Sequence, residues 1–268
     1  MERGLWRDST EAEATTLADA LARYAGEISN TKRGAVKEKS ILKTLSATSL
    51  SSCSMASIRG SDIAKLRDSW LGEGLAPATV TRRLAVLSHV FAIAVKEWGM
   101  ESLANPVQRI SKPTIKNDRD RRLEGKEETR LLAECEPHMA ALIRFALETA
   151  ARLGELLSVE WTDVDLVRRV MVVRGIDGRG TKNGDAFRQV PLSSAAVEVL
   201  DELKAQPRSI HGHVFYQWKA SDSLNKTWRR VCARAGVVDM RFHDLRHEAT
   251  SRLAEKLSNV LELAACRT

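Results

Sequence analysis

Apolar residues recur at helical spacing through the first hundred positions. Leu17, Leu21, Tyr24, Ala25 and Ile28 share one face, and Thr16 followed by Asp19 forms a capping-box pair at its start. The pattern predicts a second helix over Ala35–Leu45, a Ser-rich loop over Ser46–Ser57, and a third helix capped by Ser61. The apolar face of that third helix is Ile63, Leu66 and Trp70, and Gly72 and Gly74 end it. Pro77 opens the longest helix, whose face is Val80, Leu84, Leu87, Phe91, Ala94 and Trp98, and Gly99 closes it. Together these segments predict a small bundle of about four helices.

The second half changes character. Glu127–Glu134 and His138–Ala150 keep the helical period. Arg169–Arg174 is β-branched and alternating, Gly175–Gly184 is punctuated by glycine, and Phe187–Leu192 returns as a second strand, so a hairpin is expected. Helices follow over Ser193–Lys204, Ser221–Ala235 and His243–Leu257. Between the halves, Asn105–Arg122 holds Pro106, Pro113 and many charges without an apolar period, and is expected to be a linker. The fold class is mainly α with a small antiparallel β-sheet, in two domains.

Composition narrows the partners. The 268 residues suffice for two domains of ordinary size. Lys and Arg number 42 against 35 Asp and Glu, a formal charge of +7. That balance suits a polyanion such as nucleic acid, or a solvated basic face, and charge alone leaves both open. The linker shares the ambiguity: a basic run can follow DNA or simply serve as a solubilised tether. Cys53, Cys135, Cys232 and Cys266 form no CxxC pair, which argues against a zinc cage or a disulfide framework. His211-Gly212-His213 has no acidic cluster beside it, so no metal site is expected. Met1–Glu13 lacks the apolar core of a secretory signal, and the apolar stretch Leu84–Val95, broken by Ser88 and His89, is too short to span a bilayer. A soluble, cytoplasmic protein with no membrane partner is expected.

Three local features bear chemistry. In Ala151-Arg152-Leu153-Gly154-Glu155-Leu156-Leu157, an Arg stands at a helix junction with a Glu three residues on that can orient its guanidinium. Lys182, in Gly180-Thr181-Lys182-Asn183-Gly184, falls at the tip of the expected hairpin. In His243-Asp244-Leu245-Arg246-His247, a His and an Arg three apart project from one face at a helix N-terminus, where free N–H groups favour phosphate.

In this order the three features resemble the signature of the tyrosine recombinase (phage integrase) family. The flanking words Ser158-Val159-Glu160-Trp161 and Val190-Pro191-Leu192 are similar as well. Ala78-Thr79-Val80-Thr81-Arg82-Arg83-Leu84 resembles the family's helical core-binding domain. The likeness covers roughly residues 15–265. It implies a disordered N-terminus over 1–14, a helical core-binding (SAM-like) domain over 15–104, a basic linker over 105–122 and an α+β catalytic domain over 123–268.

The resemblance also implies roles. Arg152 and Arg246 would clamp the non-bridging oxygens of a phosphodiester, and Glu155 would hold Arg152. His243 would donate a hydrogen bond or move a proton, and Lys182 would protonate the departing 5′-oxygen. Arg82, Arg83, Lys112, Lys116, Arg121 and Arg122 would contact double-stranded DNA. Because one phosphodiester is exchanged for a phosphotyrosyl ester, neither ATP nor a metal is called for. The implied partners are duplex DNA with a homo-oligomer or a full-length integrase upon it, and the implied location is the bacterial nucleoid.

The sequence departs from the family pattern after Leu263-Ala264-Ala265. The second His (or Trp) and the tyrosine nucleophile do not follow. The only tyrosines, Tyr24 in the first domain and Tyr216 in His213-Val214-Phe215-Tyr216, a segment expected to be a strand, do not match the nucleophile's position. A catalytic domain incomplete at its C-terminus, unable to cleave DNA alone, is therefore expected. Three readings remain: a remnant that binds DNA without recombining it, a regulator that competes with a full-length integrase, and a helical protein–protein adaptor with incidental charge.

Overall fold

A computed structural model describes residues 10–32, 34–115, 119–174, 187–206 and 212–256. The chain divides into two compact units, Met1–Asn117 and Asp118–Thr268.

Among the described residues, the first unit consists of a short α1 (Thr10–Ala14) followed by α2 (Leu17–Glu27), α3 (Ala35–Ser46), α4 (Gly60–Gly72) and α5 (Pro77–Glu97). The capping box is present: the Asp19 backbone N–H donates to Thr16 Oγ1, and Thr16 N–H donates to the Asp19 carboxylate. α5 is the spine of the unit. Its Val80, Leu84, Leu87, Val90, Phe91 and Ala94 are fully buried against Leu17, Leu21, Leu45 and Ile63. Each large side chain so buried contributes about 1.5–3 kcal/mol. At 21 residues, α5 is also long and apolar enough to cross a membrane by length and composition, more than the interrupted stretch within it suggested. Here its apolar face forms the core of the unit.

The second unit carries α6 (Glu127–Ala133), α7 (Pro137–Thr149) and α8 (Leu153–Ser158). A sheet of β1 (Val164–Asp165), β2 (Val170–Arg174) and β3 (Phe187–Pro191) follows, then α9 (Ser194–Lys204), α10 (Ser221–Arg234) and α11 (Asp244–Lys256). The sheet is antiparallel in the order β1-β2-β3, with Met171 opposite Val190 and Val173 opposite Arg188. The expected hairpin pairing is therefore present, and β1 is an added edge strand. The turn region Gly175–Gly184 lies outside the described residues. α7 is buried on most of its circumference and packs against α9 and α11. Burial pushes the thiols of Cys135 and Cys232 up to about 11, so both are un-ionised packing groups.

Four expectations are corrected. Thr10–Ala14, assigned to a disordered terminus, is helical, and Ala12 is buried in the first core. α4 begins at Gly60, not after a Ser61 cap. The Asp62 carboxylate accepts the Arg59 backbone N–H at 2.9 Å, which makes Arg59 the residue preceding the first turn. His213–Tyr216 is a turn with one bridge, Glu160 to His213, not a strand.

The fourth correction concerns the linker, which is absorbed at both ends. Asn105 accepts from Val107 N–H and donates to the Ser88 carbonyl, while Val107 is buried in the first core. At the other end, Arg119, Arg121 and Arg122 pair with Asp244, Glu127 and Glu248 of the second unit. Charges that look solvating along the sequence are paired, Arg121 with an acid six residues on, and Arg119 and Arg122 with acids more than a hundred positions away.

Candidate active site

The site grows from the end of α7. Ala150 adopts a left-handed conformation (φ 49°, ψ 23°) that stops the helix and turns the chain into Ala151-Arg152. Such a φ is unusual for a residue with a Cβ. The Ala150 carbonyl is taken by the Arg246 guanidinium, which donates through Nη1. The helix stop before Arg152 and the second arginine of the candidate pair are thus directly joined.

Arg152 precedes α8. Its backbone N–H donates to Glu155 Oε2 and its Nη1 to Glu155 Oε1, both at 2.8 Å. Arg188, on β3, donates through Nη2 to Glu155 Oε2, also at 2.8 Å. Burial alone would raise the Glu155 pKa. The Arg152 backbone and side-chain donors and the Arg188 charge outweigh it and hold the carboxyl below its ordinary range. The expected pairing of Glu155 with Arg152 is present, and it is part-buried, not a surface pair at helical spacing.

His243 and Arg246 sit at the start of α11, whose position is set from outside the helix. Trp228 Nε1 donates to the Met240 carbonyl at 2.8 Å, and its ring meets Phe242 edge to face. Asp244, buried, accepts from Arg119 Nε at 3.0 Å and Nη2 at 2.7 Å and from the Arg241 backbone N–H at 2.8 Å. Burial would raise the Asp244 pKa, but Arg119 and the Arg241 N–H lower it, so the carboxylate stays charged. His243 stacks edge to face with His247, centroids 5.6 Å apart. Its pKa lies below the ordinary histidine value, first through loss of surrounding water, then through His247, Arg246 and Arg152, with Asp244 opposing. Arg152 and Arg246 are therefore both close enough to act on the same imidazole. The arrangement is a concentration of positive and hydrogen-bond-donating groups suited to an anion.

The remaining sequence candidates are scattered in role. Lys182 and Lys116 lie outside the described residues. Arg82 is exposed on α5, whereas Arg83 stacks on the Trp70 ring, its guanidinium carbon 5.0 Å from the centroid. Lys112 is exposed. Arg121 and Arg122 serve internal ion pairs, with Glu127 and Glu248 respectively. Tyr216 packs edge to face on His138, and Tyr24 is fully buried in the first unit. Arg188 was missed by the sequence reading. The signal was available, since Arg188 shares a strand face with buried Val190, and a charged residue at a core-facing position calls for a partner. Arg119 left no such signal.

Residues 121–265, more than half of the chain, match the model of the phage integrase family. The chain belongs to that family. Among curated relatives, the shufflon-specific DNA recombinase of Escherichia coli is 37% identical over 261 residues, 93% of this chain and 65% of that protein. The integrase of Salmonella phage P22 is 32% identical over 197 residues, 67% of this chain and 48% of its own length. The chain thus spans about half to two thirds of these two relatives. Among solved structures, the Tn1549 transposon integrase (residues 82–397, in complex with circular intermediate DNA) aligns with a TM-score of 0.77 at 18% identity, covering 95% of this chain and 92% of that one. That likeness is one of fold, and it spans both units of this phage integrase family member.

Proposed function

We propose that this protein binds duplex DNA and holds one phosphodiester against Arg152, Arg246 and His243, the chemistry of site-specific DNA recombination. The observation that carries the reading is that Arg246, beside His243 at the start of α11, is bonded to the Ala150 carbonyl two residues before Arg152, so that two distant stretches of the chain bring both arginines to one histidine. A phosphodiester resists attack because it is anionic, and its transition state spreads more negative charge over the oxygens. Guanidinium groups answer that charge with charge-assisted hydrogen bonds in a fixed geometry. Arg246, tied to the Ala150 carbonyl, and Arg152, tied to Glu155, are preorganised to do so. His243, neutral when free, takes a proton most readily when an anion lies beside it. Lys182 is assigned the leaving-group proton on the family likeness alone.

Residues 1–268 contain no tyrosine suited to the nucleophile's role, given the packing of Tyr24 and Tyr216. In this reading they bind DNA and do not cleave it. The names of the relatives support recombination as the parent activity and DNA as the partner.

The test is fluorescence anisotropy on labelled duplex DNA across a salt series. Salt-sensitive binding is expected, and Arg152→Glu should weaken it well beyond Arg168→Glu, a charge reversal at a highly exposed site. Equal effects from the two changes would remove the phosphate-site assignment. Binding that ignores salt would favour a protein–protein adaptor.

A further inference from the structure

Glu155 sits between two guanidinium groups, and this arrangement addresses a problem of charge. A carboxylate that orients an arginine also cancels its charge, so a lone Arg152–Glu155 pair would present little net attraction to an anion. Here the carboxylate is shared. Arg152 Nη1 binds Oε1, and Arg188 Nη2 binds Oε2, which also accepts the Arg152 backbone N–H. The Arg188 side chain is 8% exposed and that of Glu155 10%, against 26% for Arg152. The two groups farthest from water are thus paired with each other, and the more open one is the candidate anion ligand. Among the described residues, Arg152 commits a single guanidinium nitrogen to the protein, leaving Nε and Nη2 for other acceptors.

We infer that Arg188 is a positioning residue that compensates the charge of Glu155, so that Glu155 orients Arg152 without neutralising it. The inference deepens the proposed function and rests on Arg152 being the anion ligand. It assigns a purpose to a buried arginine on β3 that need never touch DNA. Replacing the pair by uncharged residues of similar shape should preserve the net charge, because one positive and one negative group leave together.

The probe is inorganic phosphate, titrated against the full chain and followed through the Arg152 Nε–H resonance, with the fold of every variant checked by circular dichroism. Arg188→Met is expected to weaken phosphate binding about fivefold or more, the scale of losing one nearby charge at an effective dielectric constant between those of protein and water. Arg188→Lys, which keeps the charge, should bind within about twofold of the unaltered protein, and the double variant E155Q/R188M, which removes both charges but also the carboxylate that orients Arg152, should recover a clear part of the loss seen in Arg188→Met. A double variant as weak as Arg188→Met would overturn charge compensation in favour of a packing role. So would a folded Arg188→Lys that binds as poorly, or an Arg188→Met indistinguishable from the parent. If Arg188→Met does not fold, Arg188→Lys and the double variant decide between the same outcomes. Absence of any phosphate response at Arg152 in the unaltered protein would also overturn the inference. Phosphate binding that follows the expected order with no binding of duplex DNA would instead fault the DNA reading and leave the charge argument standing.

Discussion

The Arg246 guanidinium donates to the backbone carbonyl of Ala150, the left-handed residue that ends α7 just before Arg152. A backbone stop and a side chain from a helix nearly a hundred residues later therefore hold one another. A conformation that is locally unfavourable for alanine is maintained by a contact that also places the arginine.

Substitution at Ala150 separates these effects. Ala150→Val puts a β-branched side chain at φ 49° and should cost roughly 2 kcal/mol in urea denaturation. Ala150→Gly relieves the left-handed strain at the loss of one buried methyl and should stay within about 1 kcal/mol of the parent. Equal losses would mean that the methyl contact, not the backbone conformation, dominates the site.

His243 should couple DNA binding to pH. Its folded pKa lies below the ordinary value of about 6.5, so in the free protein the imidazole is neutral near neutral pH. The unfolded chain takes up the proton first as pH falls below about 6.5, and the free protein should lose stability there. A phosphodiester beside His243 favours the imidazolium and raises its pKa, so binding takes up a proton. Affinity should therefore rise as pH falls from about 7.5 towards about 6. Anisotropy titrations at several pH values check this. A His243→Gln variant with the same pH dependence would remove His243 as the source of the effect.

Asp244 anchors α11 through Arg119. The carboxylate is buried, and Arg119→Gln would remove its main counter-charge while leaving the Arg241 N–H. The melting temperature should fall clearly more than for Arg168→Gln, whose side chain is 83% exposed. Comparable melting of the two variants would show that the Arg119 clamp contributes no more than a surface pair.

In the first unit, Tyr24 Oη accepts Lys32 Nζ at 2.6 Å and meets His89 Nδ1 at 2.6 Å, and Lys32 also binds Glu38 at 2.8 Å. Burial raises the Tyr24 pKa, so the group remains a phenol. Tyr24→Phe keeps the ring and removes the shared hydroxyl, and should cost about 1–2 kcal/mol by chemical denaturation. A neutral result would show that water replaces the hydroxyl.

Much of this architecture is written locally. The period of α2, the Thr16–Asp19 capping box, Pro77 opening α5 and the His-x-x-Arg helix start depend on neighbours a few residues apart, and the pairing of β2 with β3 on two alternating segments close in sequence, so the sequence by itself determined them. The Arg152–Glu155 contact was legible for the same reason, because three residues bring both groups to one turn. Tertiary structure alone decided which charges meet across long distances. Arg119 joins Asp244 across 125 positions, and Arg188 joins Glu155 across 33. Long-range ion pairs have no periodicity along a chain, and any of 42 basic side chains can partner any of 35 acids until packing brings particular ones together. Packing made the end of the apparent linker part of the second unit. It also brought Arg188 onto the Glu155 carboxylate, which gives that largely buried charge a second cationic partner.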